Sequence, residues 1–77
     1  MNMVVVSDSS ATCAGFRLVG VECHQAENSE ELAVALDIVS QLEVGLIVVT
    51  AKLAAKGREV LTRFSAEDMP LVVEIPD

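Results

Sequence analysis

Val44-Gly45-Leu46-Ile47-Val48-Val49-Thr50 is a continuous apolar run, β-branched in its second half and without alternating polar positions. A strand with one face in water alternates; an unbroken run marks a parallel strand covered on both faces. Helical patterns stand immediately before and after it, which places it in the middle of a small parallel sheet. Its carboxyl end, Val49-Thr50, is where such sheets present ligand-binding or catalytic groups. No acid, His, Cys or Gly-rich turn stands there.

Upstream, Asn28-Ser29-Glu30-Glu31 is a helix start: Asn28 caps the first free amides, and Glu31 stands in the capping-box position. Glu30 and Glu31 also suit the positive end of the helix dipole. Leu32, Ala35, Leu36, Val39 and Leu42 then recur at helical spacing as one apolar stripe. Downstream, Thr50 is placed to cap a third helix whose buried stripe is Leu53, Gly57, Val60, Leu61 and Phe64. Lys52, Lys56, Arg58 and Arg63 face water, with Glu59 four residues before Arg63 as an exposed pair. Gly57 weakens a helix by about 1 kcal/mol relative to Ala, so it marks close packing. Ser65 to Asp68 reads as a loop.

Further out, Met3 to Val6 is a short apolar strand, broken by the turn- and cap-forming Ser7-Asp8-Ser9-Ser10. A short helix follows from about Ala11 to Val19 and ends at Gly20. Val21 to Ala26 carries Glu22, His24 and Gln25, as an exposed edge strand does. Leu71 to Ile75 is the last strand, bracketed by Pro70 and Pro76, which have no N–H to donate.

The order is βαβαβαβ over residues 1–77, one domain: an α/β fold with a flavodoxin-like or Rossmann-like four-stranded parallel sheet and three helices. Right-handed crossovers and the strand order 2-1-3-4 follow from the usual rules. That order puts the first helix alone on one face and the other two on the opposite face. One short helix leaves part of its face bare, including part of the central strand, an apolar patch that calls for a partner. The isolated chain is therefore expected to self-associate as a homodimer through that face or the neighbouring edge strand.

A chain of 77 residues, 52% apolar and 22% charged, is too hydrophobic for disorder. Its net charge of −7 repels phosphate backbones and anionic membranes, so no nucleic acid is expected as a partner. No run reaches the length of a membrane span and no signal-peptide pattern opens the chain, which reads as cytosolic. In that compartment Cys13 and Cys23 are most simply free thiols packing as small hydrophobes. A metal site would recruit His24, but adjacent strand positions point to opposite faces, so Cys23 and His24 cannot both join Cys13 at an ion. No metal and no cofactor is expected.

Catalytic constellations are equally sparse. The Ser7 to Thr12 loop feeds a helix N-terminus at the switch point, yet it matches neither G-x-G-x-x-G nor the P-loop pattern. A phosphotransfer receiver domain shares the topology but needs an acidic pair after the first strand and an Asp ending the third; here stand Asp8 alone and Thr50. Cys13 as a nucleophile has Arg17 one turn on, without a His or a phosphate-cradling loop. Glu74, a charge inside a strand, either deters mispairing at an edge or meets a partner. Phe16 either anchors the first helix on the sheet or faces a partner.

Gly15-Phe16-Arg17-Leu18-Val19-Gly20-Val21, directly after a strand and polar loop, resembles the G-F-R-L-A-G-[VI] segment of the F subunit of V-type and archaeal A-type ATPases. Val73-Glu74-Ile75-Pro76 resembles the closing [LV]-E-I-P segment of the same family, and the interval between the two matches as well. The resemblance covers essentially the whole chain. It implies a non-catalytic component of the central rotor stalk, peripheral to the membrane in the cytoplasmic, soluble ATPase sector. Such a component binds the coiled-coil D subunit of the stalk, contacts other ATPase subunits, and helps couple ATP turnover to proton or sodium transport. Ser7, Asp8, Gly15, Phe16, Arg17 and Glu74 are then the expected partner-binding residues. Family members continue past E-I-P into a C-terminal helix, which this chain, ending at Asp77, is expected to lack. The reading that competes with this one is a small phosphate- or nucleotide-binding, receiver-like signalling module.

Overall fold

The computed structural model describes residues 2–66 and 70–77. The strands are β1 (Met3–Ser7), β2 (Glu22–Gln25), β3 (Leu46–Thr50) and β4 (Leu71–Ile75). The helices are α1 (Ser10–Leu18), α2 (Ser29–Ser40), α3 (Ala51–Lys56) and α4 (Arg58–Ser65). The sheet is wholly parallel, in the order β2-β1-β3-β4 expected from the sequence. The loop expected from Ser65 falls partly on residues 67–69, outside the described residues, and Ser65 itself closes α4.

β1 and β3 lie at the centre, and register pairs Val4, Val5 and Val6 with Ile47, Val48 and Val49. Because side chains alternate across a strand, this pairing divides the core in two. Val4, Val6, Ile47 and Val49 face α2, α3 and α4 and pack with Leu32, Leu36, Val39, Leu53 and Leu61. Val5 and Val48 face the other way, where Cys13 of α1 and Cys23 of β2 complete a much smaller cluster. Full burial of each such aliphatic side chain contributes about 1.5–3 kcal/mol.

Helix boundaries follow their capping chemistry. Ser9 caps α1, its hydroxyl accepting the Thr12 N–H at 3.1 Å. At the other end Gly20 takes φ +85°, and the amides of Gly20 and Val21 return to the carbonyls of Arg17 and Phe16. These are the two bonds of a Schellman ending, which needs a left-handed residue at the position Gly20 fills. Asn28 Oδ1 accepts the Glu31 N–H at 2.9 Å, as expected, while Glu31 reaches back to the Glu27 amide at 2.8 Å.

Four expectations are corrected. Cys13 and Cys23 are joined as a disulfide, not free: each is the inward-facing residue of its element, and α1 brings the Cα atoms to 5.2 Å, within disulfide range. Leu42 lies beyond the end of α2 and is half exposed, outside the buried stripe. Thr50 occupies the N-cap position of α3 without capping it; the Lys52 amide donates to Asp77 Oδ1 at 2.7 Å instead. The expected Glu59–Arg63 pair is not formed; Lys56 and Arg58, exposed as expected, pair instead with Asp8 and Glu74. The third helical stretch also divides at Gly57. This residue is buried, and a Cβ built there would overlap Leu32 Cδ2, so α2 and the α3–α4 junction approach as closely as the packing argument required.

Candidate functional site

The crevice between the carboxyl ends of β1 and β3, where sheets of this order bind ligands, is closed by the chain's own polar groups. Ser7 is fully buried; its Oγ accepts from Thr50 Oγ1 at 3.0 Å and from the Ser9 amide at 3.1 Å. Asp8 pairs with Lys56 Nζ at 3.2 Å, and the same ammonium donates to the Glu27 carbonyl at 3.4 Å. Lys56 thus straps three segments together across the top of the sheet. Among the described residues no three His, Cys, Asp or Glu are grouped to hold a metal ion. None of their helices is long and apolar enough to cross a membrane.

On α1 the three expected partner residues take different directions. Arg17 Nη2 donates to the Cys23 carbonyl at 2.7 Å, occupying an acceptor of β2, an edge strand. Phe16 is half-buried against the Val5–Cys13–Cys23–Val48 cluster. Gly15 is exposed, and a Cβ added there would meet nothing within 4 Å. With Ala11, Ala14 and Leu18 it forms an exposed stripe at helical spacing along the outer face of α1. Leu18 is 87% and the adjoining Val19 75% solvent-accessible.

Glu74 stands apart from these. Register aligns it with Val49, so its side chain emerges on the α2–α4 face, opposite α1. There both its oxygens meet Arg58 of α4, Nη2 to Oε1 at 3.1 Å and Nη1 to Oε2. The hydrogen bonds from Arg58, aided by its charge, hold the Glu74 carboxyl below its ordinary range and raise the guanidinium. The six expected residues therefore do not share one surface. Thr50, Lys56 and Arg58, none of them anticipated as partners, hold Ser7, Asp8 and Glu74 in place. Only the folded register brings them into reach.

Residues 3–77 match the ATP synthase (F/14-kDa) subunit family. The chain belongs to this family. The V-type ATP synthase F subunit of Fusobacterium nucleatum subsp. nucleatum is 28% identical over 74 residues, spanning 96% of this chain and 70% of its own length. For this F/14-kDa subunit the segments Gly15–Val21 and Val73–Pro76 acquire definite places: the C-terminal half of α1 with its Schellman ending, and the edge strand β4.

Proposed function

We propose that this F/14-kDa subunit is a non-catalytic central-stalk component of a V-type or A-type rotary ATPase. In this reading it docks on the coiled-coil D subunit of the stalk and helps couple ATP hydrolysis or synthesis to proton or sodium transport. It works on the cytoplasmic side, peripheral to the membrane, within the soluble sector. The observation that carries the reading is the exposed Ala11–Ala14–Gly15–Leu18 stripe of α1, whose Gly15 and Leu18 lie inside the segment that resembles the family motif. Small side chains allow a second helix to approach closely, since interaxial distance follows the residues at the contact. Gly15 contacts the partner directly, while Phe16 and Arg17 fix the helix that presents it. Ser7, Asp8 and Glu74 serve the fold. The exposed apolar residues of the α1 side also support a second partner, another copy of the chain.

Co-purification with the D subunit tests the docking. Leu18→Glu should abolish capture while leaving the circular dichroism unchanged; unaltered capture would overturn the assignment of this face. ATP turnover by the purified chain, lost on Asp8→Asn, would overturn the non-catalytic reading. The receiver-like alternative draws little support from the carboxyl ends, where Asp8 is taken up by Lys56 and Ser7 by Thr50.

A further inference from the structure

We infer that β4 is a self-pairing edge: two copies of the chain join antiparallel through it, about a two-fold axis at Val73. The inference rests on the self-association reading above and gives it a surface and a register. Among the described residues β4 pairs with β3 alone, so its other side is open. The Leu71 N–H donates to the Gly45 carbonyl of the segment entering β3, at 3.1 Å. Backbone groups alternate in direction along a strand. Leu71, Val73 and Ile75 therefore turn their N–H and C=O groups toward β3, and Val72 and Glu74 turn theirs outward. Pro70 and Pro76 fall on the outward phase too, and neither has an N–H. The open edge thus offers donors at two positions only, Val72 and Glu74, with a stop at each end.

Those two positions complement each other. In an antiparallel pair centred on Val73, Val72 lies opposite Glu74 of the second copy, and Glu74 opposite its Val72. Each such pair exchanges both N–H···O bonds. Beyond them Pro70 meets Pro76, with no donor on either side. On the α1 side Leu71 then faces Ile75 of the second copy, and Val73 faces Val73, an unbroken apolar stripe. Leu71 is 60% and Val73 39% exposed in the single chain, and pairing covers them. On the other side each Glu74 carboxylate is neutralised by its own Arg58, so no bare charge opposes Val72. Charge, donor count and side-chain pattern therefore all fit a second copy. Two five-residue strands bury less than the roughly 1,200 Å² of a standard interface. The dimer is accordingly weak, and since each copy carries −7 it tightens as salt screens the repulsion.

Sedimentation equilibrium of the 77-residue chain from micromolar to millimolar concentration, at low and high salt, should show a monomer–dimer equilibrium strengthened by salt. Residues facing across a non-hydrogen-bonded antiparallel position have Cα atoms about 4.5 Å apart, within disulfide reach. Val73→Cys should therefore cross-link to itself on mild oxidation, with a peptide pair joined at position 73 identified by mass, whereas Leu18→Cys should not. Val73→Lys places like charges face to face and should leave a folded monomer. A dimer that cross-links through position 18 and not 73 would overturn the β4 register while sparing self-association. A monomer at every concentration would overturn both. Should Val73→Lys abolish capture by the D subunit with the parent chain monomeric throughout, the edge belongs to a strand of that partner and the second copy is refuted.

Discussion

Replacing Gly15 with Ala should stabilise the isolated chain and, under the proposed docking on the D subunit, weaken that binding in one step. Gly15 lies inside α1, where Gly is about 0.8–1.0 kcal/mol less favourable than Ala. Part of that gain comes from restricting the unfolded chain. Nothing lies within 4 Å of the added methyl, so no steric cost is subtracted. A gain of about 1 kcal/mol corresponds to a rise of roughly 4–8 °C in Tm for a domain of this size. If a stalk helix packs on this face, the same methyl separates the two backbones. A crowding penalty of about 1 kcal/mol weakens binding roughly fivefold. Urea denaturation at constant m-value reads the first effect, and calorimetric titration with the D subunit reads the second. Unchanged or reduced stability would refute the account of Gly15 as an unobstructed helix-interior residue. Raised stability with unaltered affinity would refute the docking face.

Gly57→Ala should act in the opposite sense, costing about 1–3 kcal/mol by overpacking because its Cβ overlaps the buried Leu32; denaturant midpoints compare the two alanine variants directly. Reducing the Cys13–Cys23 bond, which closes a loop of sequence separation 10, should lower stability by somewhat under 3 kcal/mol, checked by melts with and without reductant alongside thiol titration. Phe16→Ala should cost less than the ~3–5 kcal/mol of a fully buried Phe, because the ring is only half-buried, and denaturation measures it. The Glu74 carboxyl is depressed in the folded chain, so the stability it supplies is fully present above its ordinary value of 4.5 and is lost as pH falls through the lowered one. Arg58→Gln should therefore flatten the fall of stability with pH below that point, and added salt should mute the difference between variant and parent.

The elements were readable because the evidence for them is local, and their order in the sheet follows from general rules of connection. The unbroken Leu46–Thr50 run, the Asn28 cap and the spacing of Leu32, Ala35, Leu36 and Val39 depend on neighbouring residues alone. Gly57 was readable for the same reason, as a helix breaker that must be compensated by packing. What the sequence concealed are contacts between side chains far apart in the chain. Arg58 meets Glu74 across 16 residues and Lys56 meets Asp8 across 48, and neither pairing has a periodic signature. The thiols were misread for a different reason. A cytosolic compartment favours free thiols, whereas the register brings Cys23 beside Val5 and beneath α1. At the candidate site the motif located α1 and β4 correctly as segments. Which of their residues face outward was settled by packing, since Arg17 turns to β2 and Gly15 to solvent.

The unequal division of the core bears on how the chain moves. Among the described residues twelve buried ones tie α2, α3 and α4 to the sheet, whereas four hold the α1 side, and two of those four are Cys13 and Cys23. Segments open independently in proportion to the burial that secures them, so α1 and β2 form the less protected unit. The covalent link crosses that thin layer and makes helix and strand open as one body. In amide exchange the oxidised chain should release α1 and β2 together, in a single slow event well separated from the rest of the sheet. Once reduced, α1 should exchange first and alone, lifting the face that carries Gly15 away from the strand to which Arg17 holds it.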